Sequence, residues 1–184
     1  MSNHINIDKR LKERISNVIL GTGSYENVKT GNTVSITGDG GTAWNYYGNS
    51  YKKLAPRLFT YIPYAEKLEK IDYLLKNNKI DIEEYKRLKY LIEEEYIESY
   101  YESRLKTLNI EELINTLENK FGDHIIFLCH EPIDSFCHRR ELASYIELKT
   151  GLYIPEISTD EKGNIKKLVP IDYKERLIKY MYKR

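Results

Sequence analysis

IIFLC, residues Ile125 to Cys129, is an unbroken run of five apolar residues. A strand with one wet face alternates apolar and polar side chains, so a continuous run means that both faces are covered, as in a parallel sheet. The flanks agree. Upstream, Asn109 followed by Glu112 is a helix-start signal, Leu113 and Leu117 share the inner face, and Gly122 is suited to the position just past the end. Downstream, a helix is expected from Cys137 through HRRELASYIELKT, with Leu142, Tyr145, Ile146 and Lys149 at helical spacing and Gly151 closing it. Helix, buried strand and helix in succession is βαβ order.

Moving towards the N-terminus, Ile15 to Leu20 (ISNVIL) reads as a buried strand ended by a tight Gly21-Thr22-Gly23 loop. Thr33 to Thr37 (TVSIT) is β-branched and reads as a second strand, with Gly38-Asp39-Gly40-Gly41 as a flexible turn after it. TAWNYYGNSYKKLAP has no clean period and reads as a long loop, with Trp44 packed over the sheet; loops of this length usually serve function or act as lids. A helix is expected from Pro63, with Tyr64, Leu68, Ile71 and Leu75 in step. Asp81 and Glu84 open another, with Tyr85, Leu88, Leu91 and Ile92 on one face. Its second half carries Glu93, Glu94, Glu95, Glu98 and Glu102, read as a solvated face. Towards the C-terminus, Leu152 to Ile157 (LYIPEI) reads as a strand that Pro155 places at its end or at the sheet edge. Pro170 and Asp172 begin a last helix with Leu177, Ile178 and Met181. The expectation is a three-layer, Rossmann-like α/β fold with a mostly parallel sheet: one domain, 1–184, with a helical insertion at about 64–108. In such sheets ligands bind outside the carboxyl ends of the strands, where the loops Gly21–Tyr25, Gly38–Gly48 and Cys129–Arg140 should meet.

Composition narrows the function classes. Charged residues make up 31% of the chain and the net charge is +1, which excludes a nucleic-acid binder that works through the charge of the whole molecule. Lys162 to Arg184 holds eight Lys or Arg against Asp172 and Glu175; it reads as a solvated basic helix face able to touch phosphate. The start MSNHINIDKRLKERI has no apolar signal region, and no run approaches the roughly 18 apolar residues of a membrane span. A cytoplasmic protein with no membrane partner is expected, where Cys129 and Cys137 would not form a structural disulfide.

The segment Cys129 to Arg140 concentrates the reactive residues. Cations at a helix N-terminus are unfavourable by a few tenths to about 1 kcal/mol each, yet His138, Arg139 and Arg140 stand there together. Something negative is therefore expected beside them: Glu131, Asp134, Glu141 or a bound phosphate on the free N–H groups. The same field favours a thiolate at Cys137, and a thiolate beside a base is the usual cysteine nucleophile. Cys137, His138 and Glu131 are the catalytic candidates, and Cys129, ending an apolar strand, reads as a small core residue. Arg139 and Arg140 are candidates to hold phosphate, Thr22 and Ser24 to contact substrate from the Gly-rich loop, and Tyr25, Trp44 and Tyr47 to stack on a base. Cys129, His130, Cys137 and His138 can be counted as four metal ligands, but the spacing is not that of a zinc finger and adjacent residues rarely share an ion. No cofactor is expected; zinc is the alternative.

IIFLCHEPIDSFCHRRELASYI resembles the hallmark of an uncharacterised family, domain of unknown function 488: an apolar strand ending in Leu128-Cys129, an acid at Glu131, and a helix start at Cys137-His138-Arg139. LGTGSY, YGNSYKKLAP and Ile154-Pro155-Glu156 are similar to further segments of its members, so the resemblance runs from about Ile15 to Glu156. It implies a small α/β domain of prokaryotic or phage origin, with a lean towards nucleotides or nucleic acid and no established reaction. The function expected is an enzyme acting on a phosphate-bearing substrate, nucleotide or nucleic acid. Two alternatives stand beside it. One is a non-catalytic module binding an anion or nucleotide. The other is a structural or interaction protein, a homo-oligomer for example, working through the Tyr- and Glu-rich helices.

Overall fold

The computed structural model describes residues 8–183. In chain order it contains α1 (Lys9–Val18), β1 (Ile19–Ser24), β2 (Asn32–Ser35), β3 (Asn49–Ser50), α2 (Leu58–Lys76), α3 (Ile82–Tyr100), α4 (Ile110–Phe121), β4 (Ile125–Cys129), α5 (His138–Thr150), β5 (Glu156–Thr159), β6 (Ile165–Leu168) and α6 (Lys174–Met181). The sheet order is β3-β2-β4-β1-β5-β6, parallel throughout except for the β5–β6 pair. The chain is α/β and Rossmann-like, as the βαβ order implies. No helix among the described residues is long and apolar enough to cross a membrane.

β4 lies between β1 and β2, and all five of its residues are buried. Its alternating side chains feed two clusters. Ile125 and Phe127 join the main core, built from Ile15 and Val18 of α1, Ile97 of α3, Ile114 and Leu117 of α4, and Leu142 and Ile146 of α5. Ile126 and Leu128 join a smaller cluster with Val28 and Ile157, against which Leu20, Tyr25 and Tyr46 pack. The second face is thus covered thinly, by the segments that follow β1 and β2.

Several boundaries differ from the sequence reading. Ile15–Leu20 is not one strand: a helix runs to Val18 and the strand begins at Ile19. The apolar spacing that decides this starts earlier, with Leu11, Ile15 and Val18 on one face and the Asp8 side chain accepting from Arg10 N. Gly21, Thr22 and Gly23 therefore stand inside β1. A Cβ at Gly21 would come within 2.6 Å of the Pro155 carbonyl oxygen, which already accepts from Thr22 N at 2.9 Å. Gly21→Ala is expected to cost about 1–3 kcal/mol as an overpacked site, measured by urea unfolding.

Pro63 does not open α2; it lies within it. The carbonyl it cannot serve belongs to Phe59, which is exposed and can turn to water. The strand expected at Leu152–Ile157 is displaced to Glu156–Thr159 because Ile154 bonds to α5 instead of a ladder: its N–H donates to Glu147 Oε1 and its carbonyl accepts from Arg140 Nη1. The last helix begins at Lys174, not at Pro170. Part of the basic tail is an edge strand, β6, whose Lys166 and Lys167 are exposed, a common protection against edge pairing. The rest meets the acidic face of α3. Arg176 pairs with Glu93 and Glu94, Lys179 with Glu94 and Lys183 with Glu98. Two charge runs read as solvated faces dock on one another; Arg184 lies outside the described residues.

Candidate functional site

A cleft of about 450 Å³ opens at the carboxyl end of β4, beside the ends of β1 and β2. Its floor is Cys129, Glu131, Cys137 and His138, and Tyr61, Tyr64, Tyr96 and Phe136 wall it. Each floor residue is placed by a different feature. β4 ends on Cys129. Cys137 is the N-cap of α5, in extended conformation, with its N–H donating to the Tyr173 hydroxyl at 3.3 Å. His138 opens the helix, and its Nε2 donates to the Ile36 carbonyl at 2.9 Å. Glu131 Oε2 accepts from both thiols, at 2.8 Å from Cys129 Sγ and 3.0 Å from Cys137 Sγ.

The electrostatics follow from this enclosure. Burial, with the Cys137 charge beside it, pushes the Glu131 carboxyl up to about 7. Burial also raises the Cys129 thiol. At Cys137 burial acts in the same direction, but the neighbouring Cys129 thiol and the positive charges of Arg139 and His138 outweigh it and hold this thiol well below its ordinary value. His138 is raised against its own burial by the Cys137 sulfur. The floor therefore holds a Cys137 sulfur whose charged form is favoured, an imidazole against it, and a carboxyl in contact with both sulfurs. It also offers metal-ligand chemistry, because Cys129, Cys137 and His138 present donor atoms that all lie within 4.8 Å of one another.

The two arginines take a role other than the one expected of them. Arg139 is fully buried. Its guanidinium meets Glu156 through Nε at 3.0 Å and Nη2 at 2.9 Å, and donates to the carbonyls of Glu131 at 2.7 Å and Pro132 at 3.3 Å. Arg140, also buried, donates to Thr22 Oγ1 at 2.9 Å and the Ile154 carbonyl at 2.8 Å, with Glu147 3.7 Å away. The anions that these badly placed cations require are carboxylates of the chain itself, so neither arginine is free to hold phosphate. Thr22 belongs to this network, donating to Glu156 Oε2 at 2.5 Å, and Ser24 is buried with its Oγ accepting from Asn27 N. Neither faces the cleft.

Of the expected stacking residues, Tyr25 and Trp44 stack on one another, with ring centres 6.2 Å apart, and line a separate depression. Tyr47 is 83% exposed and outside both. His130 turns away from the sulfurs towards Asp39, 3.2 Å off.

Sequence reasoning missed Asp39 and the aromatic walls. Asp39 lines the cleft and builds its loop: its carboxylate accepts from Thr37 Oγ1, Gly41 N and Ala43 N. Burial raises its pKa, but those bonds and one from His130 prevail and hold it well below the carboxylate range. An aspartate inside a Gly-rich turn is the signal for such a loop. Tyr64 and Tyr96 gave no separate signal, because a helix face lining a cleft has the same period as one lining a core, and Phe136 stands in the irregular segment before α5. No protein-family model matches the chain, and neither does any curated protein or solved structure.

Proposed function

We propose that this chain is an enzyme acting on a nucleotide or nucleic-acid substrate, with its reaction centre at Cys137, His138 and Glu131. The observation that carries the reading is the convergence of two thiols, an imidazole and a carboxyl on the floor of one aromatic-walled cleft. Buried reactive groups of this kind are costly unless used or paired, and clefts with apolar walls and a few convergent polar groups are the usual form of small-molecule sites. The Tyr61, Tyr64, Tyr96 and Phe136 rings suit a flat ring such as a nucleobase.

The phosphate belongs outside the cleft, whose lining carries Asp39 and Glu131 and, among the described residues, no Lys or Arg. Pro56 and Leu58 line the cleft, and Arg57 between them is exposed, as are Lys52 and Lys53 on the same segment; an anion can meet these cations without desolvation. The resemblance to domain of unknown function 488 supports the same substrate class. Cys129 and Cys137 are both free thiols, which suits a reducing cytoplasm.

The test is turnover against a panel of nucleotides and short oligonucleotides, with folding followed by circular dichroism. Glu131→Gln is expected to lower turnover by about 10²–10⁴-fold, the range for a positioned proton carrier, and Cys137→Ser to lose it while remaining folded. Undiminished turnover in folded Cys137→Ser would sink the reading. Thermal stabilisation by a nucleotide with no turnover anywhere in the panel would replace it with a binding module.

A further inference from the structure

Three of the floor groups have the chemistry and spacing of a metal centre. Zinc bonds to cysteine sulfur at about 2.3 Å and to histidine nitrogen at about 2.0–2.1 Å in tetrahedral geometry, which puts sulfur and nitrogen ligands about 3.5 Å apart. His138 Nδ1 lies 3.5 Å from Cys129 Sγ. Cys137 Sγ completes a set in which all donor atoms fall within 4.8 Å. Of the two imidazole nitrogens, Nδ1 is the nearer to Cys129 Sγ, with Nε2 at 4.0 Å from the same sulfur. The Nε2–H is spent on the Ile36 carbonyl at 2.9 Å, which leaves Nδ1 as the nitrogen free to ligate. Holding the outer N–H of a ligand histidine on a carbonyl or carboxylate is the usual support for a metal site. The sequence objection, that adjacent residues rarely share an ion, is met by the helix start. Cys137 is in extended conformation as N-cap, while His138 is the first helical residue, and both side chains line the same cleft.

Charge balance points the same way. Two thiolates buried together are costly without a cation. The Arg139 guanidinium, whose charge acts on both sulfurs, is already matched by Glu156 at 2.9 Å. A divalent ion balances two thiolates. A sulfur-rich set with one imidazole selects zinc over the hard cations that prefer oxygen. Three protein ligands with the next position open is the arrangement of catalytic zinc, whereas structural zinc is closed by four.

We propose that Cys129, Cys137 and His138 bind a zinc ion whose remaining coordination position faces the aromatic cleft. Zinc binding stands on the ligand geometry alone; its use in turnover rests on the enzymatic reading above. Glu131, against both sulfurs, is placed to accept or return a proton at that open position and is not required as a ligand. Cys129, read from the sequence as core, becomes a ligand equal to Cys137.

The test uses the full chain, reduced and stripped with a chelator, then titrated with Co²⁺ and Zn²⁺. One Co²⁺ per chain, with a sulfur-to-cobalt charge-transfer band that Zn²⁺ abolishes, is the expected result, together with protection of both thiols from a disulfide reagent by Zn²⁺. Cys129→Ser and His138→Gln should each weaken Zn²⁺ binding by at least about 100-fold, beyond the 10–100-fold typical of supporting residues, while Glu131→Gln should keep the stoichiometry. The wild-type titration decides the matter alone if a variant fails to fold. Absence of the charge-transfer band, with thiols equally reactive with and without Zn²⁺, overturns the proposal. Full turnover by metal-free enzyme overturns the ion's use in turnover and leaves the enzymatic reading intact, with Cys137 as nucleophile. A zinc-bound chain inert towards the whole nucleotide panel confirms the centre and overturns the enzymatic reading.

Discussion

Arg139→Ala is expected to destabilise the protein by about 3–5 kcal/mol, the range for removing one partner of a buried ion pair. A domain of this kind has only about 5–15 kcal/mol in total, so the loss would be visible as a large shift in the urea midpoint. The reason lies in what is left behind. Glu156 opens β5, is fully buried, and would keep only the Thr22 hydroxyl as a donor. The carbonyl of Glu131 would lose its Arg139 donor as well, and that of Pro132 would keep only Ser135 N. Arg139→Lys should fall between wild type and alanine, because an ammonium cannot span both Glu156 and the two carbonyls as a planar guanidinium does. Arg139→Met combined with Glu156→Leu should recover much of the loss, since apolar residues often replace a buried pair at little cost. A deficit below about 1 kcal/mol in Arg139→Ala would place the pair in the class of exposed bridges and contradict the geometry.

That network also marks where sequence reasoning reached and where it stopped. Ile125–Cys129 declared itself as a central parallel strand because burial on both faces removes all polar residues from the run. The Asn109 and Asp81 caps were legible because the capping bonds are local: Asn109 Oδ1 accepts from Glu112 N, and Asp81 Oδ1 from Glu84 N. Partners far apart in sequence left no local trace. That Arg139 meets Glu156, or that the Glu93–Glu98 face meets Arg176 and Lys183, depends on how elements dock. The energetic anomaly of cations at a helix start was visible in advance and correctly demanded an anion; only the identity of the anion required the fold. The same holds for the candidate site. Cys137, His138 and Glu131 were located by clustering around a strand–loop–helix junction. Cys129 looked structural because nothing in an apolar run reveals that its last side chain turns towards two others.

Glu141 presents the second large effect, and it is one of pH. The side chain is fully buried, and neither carboxylate oxygen has a hydrogen-bond partner among the described residues. Burial raises its pKa well above the ordinary 4.5; Arg176 on α6 offsets this only in part, and Cys137 adds to it. Tyr96 and Tyr100 of α3 lie close enough for the Glu141 charge to raise them in turn. Below pH 4.5 the carboxyl is protonated in both folded and unfolded chains and contributes no pH dependence. Above it, the unfolded chain releases the proton and the folded chain keeps it. Stability therefore falls as pH rises, by up to about 1.4 kcal/mol per pH unit, until the folded-state pKa is passed. Glu141→Gln removes the ionisation while conserving shape. The variant should gain on wild type as pH rises above 4.5 and until the folded-state pKa is passed, and the difference between the two cancels the titrating groups that the Glu141 charge does not reach. Glu141→Met should be more stable still, because it also removes unpartnered polar atoms that cost about 1–3 kcal/mol. Urea unfolding of the three proteins at several pH values measures this. Parallel curves for wild type and Glu141→Gln would show that the carboxyl titrates alike in both states and is reached by water or a partner in the folded protein.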